Sequence, residues 1–272
     1  LQKNLHLNIM QHIINKYTII ESISKTQLSE VFKVQNLNGK LFAAKVIQKE
    51  SSSIYGIYDQ EVKLLKQFQH ENIVKIADHG EDTENNVFFI ITEFIDGQTI
   101  DEYFPNGIYD ENDFVTFLEI ARQILSALSY VHKAEHLHRD IKPSNIMVDF
   151  DGKPYLLDFG ITQILDTITT TKEDFFATQV YAAPEQLRGD KLSAKTDIYQ
   201  LGITFLQLVT DDDAFDKFKH KTVSLWDLIE EIRLSYELSD LESHVKSVIQ
   251  QMTAENPDNR FENCKALEIE LR

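Results

Sequence analysis

Residues 136–148 read HLHRDIKPSNIMV, and the fold turns on how that stretch is read against its neighbours. Four residues lie between Asp140 and Asn145 in it. LLDFG at 156–160 sets Asp158 18 positions after Asp140 (158 − 140). Further out, APE ends at Glu185, 27 positions after Asp158 (185 − 158). Upstream, Lys45 lies in FAAKVI at the end of an extended run, and Glu61 lies in the helical stretch that follows. Any one of these short motifs is a weak signal. All of them, in order and at domain-like spacing, are specific.

The surrounding chain divides by pattern. Residues 17–48 read as extended, because YTIIESIS, EVFKV and LFAAKVI are rich in β-branched and aromatic residues. NLNGK between the last two is a hairpin turn signal. IYDQEVKLLKQFQ at 57–69 has helical spacing, with Val62, Leu65 and Phe68 at three-residue steps. Two extended runs follow, IVKIADHG and VFFIITEF, and Asp96-Gly97 then breaks the chain. Residues 110–134 predict a long amphipathic helix opened by Asp110 as its cap. Short strands are expected around 138–149 and 153–160, and helices dominate from about residue 196 onward. The layout is a small β-rich lobe over 17–95 and a larger helical lobe over 96–272, with a cleft between them as the default ligand site. Residues 1–16 precede this domain as an N-terminal extension, either a docking helix or plain extra chain.

Together the motifs resemble those of the eukaryotic-like (Hanks-type) serine/threonine protein kinases, over about residues 17–272. The resemblance implies an α+β, two-lobed protein kinase fold that moves the γ-phosphate of ATP to protein hydroxyls with Mg2+. Such a reaction asks the protein for positioning and charge neutralisation more than for covalent work. By the same resemblance Lys45 holds the α- and β-phosphates and Glu61 fixes its direction. Asp158 and Asn145 supply oxygen ligands to magnesium, as a hard cation requires. Asp140 accepts the proton of the substrate hydroxyl, and Lys142 offsets charge on the transferring phosphate. Lys142 within HRDIKPSN points to serine and threonine substrates, and Thr178 matches the threonine that touches the catalytic aspartate. Asp197 resembles the helix aspartate that anchors the catalytic loop. Arg260 resembles the partner of Glu185 in a buried ion pair, a feature that small-molecule kinases generally lack. Leu65, Ile76, His138 and Phe159 match a stack that links the lobes. FFIITEFIDG looks like the hinge: Thr92 is the gatekeeper beside the adenine, and backbone groups of Glu93 and Ile95 bond the base. Val31, Ala43 and Met147 either sandwich the adenine or simply fill the core, and both readings can hold at once.

One stretch departs from the family. Where the nucleotide loop has three glycines and then valine, SISKTQLSEVFKV at 22–34 has Ser24, Thr26 and Ser29, followed by Val31. Glycine serves such loops because it adopts φ > 0 cheaply. Hydroxyl residues forced there would cost about 1 kcal/mol each. One alternative is therefore a pseudokinase, a nucleotide-binding or scaffolding module. Against it, every costly charged group is retained. Arg139 is in the place where the family pairs an arginine with an activation-segment phosphate. Counting back from APE, a common phosphosite falls on Asp174, whose carboxylate could serve unmodified. Thr169, Thr170 and Thr171 are candidates for autophosphorylation.

The composition fits these expectations. The 272-residue chain is 42% hydrophobic and carries a net charge of −17, which argues against nucleic acid and favours basic partners. The acidic run Asp211–Asp213 reads as a solvated loop, or else as a patch for a basic protein substrate. The apolar runs are shorter than a membrane span. Cys264, the one cysteine, excludes an internal disulfide, fits a cytoplasmic setting and reads as an inert helix residue.

Overall fold

The computed structural model describes residues 12–13, 16–26, 29–49, 52–108, 110–159, 180–210, 212–231 and 239–272. The described residues fall into two compact units. One holds residues up to 69 together with Val74–Asp96; the other holds His70–Ile73 and the described residues from Gly97 on.

In the first unit the β-branched and aromatic runs form an antiparallel sheet. Its strands are β1 (His12–Ile13), β2 (Tyr17–Lys25), β3 (Ser29–Asn36), β4 (Leu41–Gln48), β5 (Ile76–Asp82) and β6 (Val87–Glu93), in the order β1-β2-β3-β4-β6-β5. Alternation along the strands separates two faces. On one, Phe32, Val34, Phe42, Ala44, Val46, Phe89 and Ile91 form a closed core with Tyr17 and Ile13. Part of the stretch expected as an extension thus joins the sheet through the fully buried Ile13. The other face carries Val31 opposite Lys45 and Ala43 opposite Thr92. Helix α1 runs over Ser52–Gln67, five residues earlier than its periodicity suggests. Serines and Gly56 mask its first turn, yet buried Ile54, Ile57, Tyr58, Val62, Leu65 and Phe68 make one continuous apolar stripe.

The second unit contains the sheet β7 (Gly97–Thr99), β8 (Ile146–Asp149) and β9 (Pro154–Leu156). Gly97 is more than a chain break. A Cβ there would lie 2.1 Å from the Val148 carbonyl oxygen, so only glycine lets β7 approach β8. Helices α2 (Ile100–Tyr103), α3 (Glu111–Lys133), α4 (Pro184–Arg188), α5 (Ala194–Leu208), α6 (Asp212–Lys219), α7 (Leu225–Glu230), α8 (Ser239–Met252) and α9 (Cys264–Glu270) make up most of the rest. Asp110 caps α3 as expected, its Oδ1 accepting from the Asp113 N–H at 2.8 Å. By length and composition α3 could cross a membrane, but half of its apolar window is buried inside the unit. Helix α5 is buried nearly all round, and its Gly202 admits the end of α8, where a Cβ would meet Met252 and Thr253 at 2.8 Å. Asp212 and Asp213 open α6 instead of forming a loop. Asp211 lies outside the described residues.

Candidate active site

In the first unit, strand β4 and helix α1 bring Lys45 and Glu61 together. Lys45 Nζ is 2.8 Å from Glu61 Oε1, with both side chains buried. Two oppositely charged groups taken out of water need each other, so each fixes the other's direction. Around Lys45 on the same sheet face, Val31, Ala43 and Thr92 are half-buried, whereas the opposite face is closed. Core packing alone therefore leaves those three side chains partly open. Glu93 donates its N–H to the Lys75 carbonyl at 2.9 Å, and its Oε1 accepts from the Lys75 N–H at 3.0 Å. Its N–H is thereby engaged within the first unit. Ile95 is half-buried.

The hydroxyl loop corrects one expectation. Ser24, Thr26 and Ser29 do not have φ > 0, so no left-handed strain attaches to these residues. Ser24 and Ser29 are ordinary strand residues, with Ser24 opposite Val31.

In the second unit the central stretch forms a loop between α3 and β8. Asp140 is buried. Its Oδ2 accepts from Asn145 Nδ2 at 2.9 Å and is 3.1 Å from Lys142 Nζ. The Asp140 carbonyl accepts the same amide at 2.8 Å. Both N–H donors of Asn145 are thereby engaged, which leaves its Oδ1 as an oxygen ligand. Asp158 has φ 36°, a left-handed conformation that short acidic side chains tolerate better than most. A carboxylate and a carboxamide oxygen suit a hard divalent cation. Met147 is half-buried in β8.

The loop is held from below by α5. The fully buried Asp197 accepts from His132 Nε2 at 2.7 Å, the His138 N–H at 2.9 Å and the Arg139 N–H at 2.8 Å. Burial alone would raise its pKa. The bonds from His132 and the Arg139 N–H outweigh that and hold the carboxyl below its ordinary value. His138 is lowered because burial disfavours its charged form. As the neutral ring it donates from Nε2 to the Leu157 carbonyl at 2.8 Å and packs 4.9 Å from the Phe159 ring. Leu65 and Ile76, the other members of the expected stack, belong to the first unit.

Sequence reasoning missed Gln200. It lies one helical step beyond Asp197, on the same face of α5, and is fully buried. Its Nε2 donates to the Arg139 carbonyl at 2.9 Å and its Oε1 accepts from the Ile141 N–H at 3.1 Å. Arg139 itself has φ 70°, and these bonds on both sides hold it there. Its side chain is exposed, with no partner among the described residues. Asn72 was also missed; it donates to Gln123 and to the Pro154 carbonyl, at 3.0 and 2.8 Å.

Glu185 and Arg260 meet as expected, at 2.7 and 2.9 Å in a two-pronged pair. The other donors of Arg260 reach the carbonyls of Ala254, Lys195 and Glu255, so all five N–H groups are satisfied. Burial would raise Glu185, but bonds from Arg260 and Thr196 win and lower it. Burial pushes the Cys264 thiol up to about 12, consistent with an inert residue. Thr178, Asp174, Thr169, Thr170 and Thr171 lie outside the described residues.

A family model described as the protein kinase domain matches residues 17–271. The serine/threonine-protein kinase PrkC of Bacillus subtilis is 29% identical, over 97% of this chain and 41% of its own length. The probable serine/threonine-protein kinase PknB of Lactococcus lactis is 30% identical, over 93% of this chain and 41% of its own. The chain thus spans about two fifths of the length of these curated relatives. Among solved structures, the Mycobacterium tuberculosis PknI kinase domain superposes with a TM-score of 0.69 at 19% identity, covering 96% of this chain and 97% of that one.

Proposed function

Because this chain belongs to the protein kinase domain family, we propose that it is an ATP-dependent serine/threonine kinase that phosphorylates protein hydroxyls. The observation that carries this reading is the arrangement around Asp140. A buried carboxylate is oriented by Asn145 and Lys142, in a loop whose backbone hangs from Asp197. That geometry suits a base that takes the proton of an incoming hydroxyl. Lys142, beside it, offsets negative charge on the group in transfer. Lys45, aimed by Glu61, binds the phosphates of the nucleotide; Thr92, Val31, Ala43, Glu93 and Ile95 are the first unit's adenine contacts, and Met147 is the second unit's.

Asp158 and Asn145 Oδ1 would hold Mg2+, and the spare oxygen of Asn145 fits that use. Bound there, the ion supplies charge neutralisation for the phosphates. The strong negative charge of the chain favours a basic protein substrate. Autophosphorylation falls to Thr169, Thr170 or Thr171, and the single buried cysteine suits a cytoplasmic setting.

The scaffolding alternative rests on the departure of Ser24, Thr26 and Ser29 from the family glycines; that none of the three has φ > 0 supports the enzyme reading over it. A thermal shift on adding Mg-ATP tests binding: a rise in Tm is expected, and none with either Mg-ATP or ATP alone would defeat the nucleotide reading.

A further inference from the structure

Thr26 and Ser29 occupy two of the three places where the family pattern has glycine, and the function proposed above gives their side chains no task. They bond to each other. The Thr26 N–H donates to the Ser29 carbonyl at 2.8 Å, and the Ser29 N–H donates to Thr26 Oγ1 at 3.1 Å. Thr26 Oγ1 also lies 3.2 Å from the Ser29 carbonyl oxygen and 3.0 Å from Ser29 Oγ. One assignment satisfies every contact: the Thr26 hydroxyl donates to the carbonyl and accepts from both the Ser29 N–H and the Ser29 hydroxyl. Below this pair the ladder continues through Lys25 opposite Glu30 and Ser24 opposite Val31. Ser22 Oγ donates to Glu30 Oε1 at 2.7 Å, and Lys25 Nζ reaches Glu30 Oε2 at 2.9 Å. Val31 in turn faces Lys45.

We propose that the Thr26 hydroxyl is a positioning group for the nucleotide, a latch that fixes the loop hairpin in the register that sets Val31 across from Lys45. The inference rests on the ATP reading above and adds to it a residue whose side chain a glycine could not replace. The amides of Thr26 and Ser29 are occupied by the latch. These two residues therefore act by holding the strands in place and not by donating N–H groups to phosphate. Glycine permits such a loop to close by yielding at φ > 0. Here two side chains tie together Thr26 and Ser29, neither of which has φ > 0.

The test compares wild type with Thr26→Val, which keeps the shape and removes the hydroxyl, and with Thr26→Ser, which restores it. Binding of Mg2+ with a non-hydrolysable ATP analogue is measured by calorimetry, alongside KM, kcat and amide exchange at Ser29. Thr26→Val should weaken analogue binding and raise KM by about three- to tenfold, the worth of one neutral hydrogen bond, and leave kcat unchanged. Ser29 exchange should quicken in the same variant without nucleotide, and Thr26→Ser should recover both properties. Equal or tighter binding by Thr26→Val, with the wild type binding normally, overturns the latch alone. No binding by the wild type overturns the nucleotide reading and the latch with it, so the two failures are told apart.

Discussion

Asp197→Asn should separate charge from shape in the support of the catalytic loop. In the wild type, Oδ2 accepts from His132 and the His138 N–H, and Oδ1 accepts from the Arg139 N–H. Asparagine can keep its carbonyl oxygen at the Oδ2 position and preserve two of the three bonds. Its NH2 group then faces the Arg139 N–H, donor against donor. One charge-assisted bond is lost, worth about 1.5–3 kcal/mol, and a buried donor is left unmet at a further cost of about 1–3 kcal/mol. A net loss of about 3 kcal/mol is expected, against a total stability on the order of 5–15 kcal/mol. Arg139 is the residue with φ 70°, so the released bond is one of those that, with the Gln200 bonds, hold the strained backbone next to Asp140. Misplacing a reacting group by about 1 Å can cost about 100-fold in rate, so kcat should fall at least tenfold. Urea denaturation and initial-rate phosphate transfer measure the two effects. Wild-type stability and wild-type kcat in Asp197→Asn would refute the claim that a carboxylate is needed there.

Arg260→Met should destabilise by about 3–5 kcal/mol, because it strands the Glu185 carboxylate in the interior, and adding Glu185→Gln should recover part of the loss in a denaturation cycle. Stability should fall in two stages on acidification. His138, His70 and His79 have folded pKa values below the ordinary 6.5, so unfolded chains bind more protons as pH drops through that value. Glu185 and Asp197 are depressed too; their contribution is full above the ordinary carboxylate range and is lost as pH falls through their lower folded values. A urea midpoint that stays level from pH 7.5 to about 5 would contradict the histidine stage. Asp174→Ala should lower the basal rate several-fold if its carboxylate pairs with Arg139; an unchanged rate in unphosphorylated protein would exclude that pair.

Much of this was legible in the chain because each local signal agreed with the fold around it. The strands of the first sheet followed β-branched runs, and Asp110 announced the helix it caps. Lys45 with Glu61 and Glu185 with Arg260 were legible through the family resemblance, and both pairs form, as buried opposite charges must. What stayed hidden depends on tertiary contact. Gln200 looks like any helix glutamine until the loop is laid over α5. Gly97 looks like a break until β8 lies against it. The first turn of α1 was missed because its serines and Gly56 speak against a helix, while burial of Ile54 decides for one. The hydroxyl residues differ for another reason: a pattern that lacks glycine suggests strain, whereas Ser24, Thr26 and Ser29 have no φ > 0 and Thr26 and Ser29 bond to each other.

The most direct measurement of the central claim is transfer of labelled phosphate from ATP and Mg2+ to the protein itself and to a basic acceptor protein, with Asp140→Asn and Asp158→Ala in parallel. The wild type should label serine and threonine but not tyrosine. Asp158→Ala should be inactive, having lost an oxygen ligand for the metal, and Asp140→Asn should lose most turnover while still binding nucleotide. Wild-type labelling no greater than that of the two variants, under conditions where Mg-ATP raises its Tm, would contradict the enzyme reading and leave a nucleotide-binding scaffold in its place.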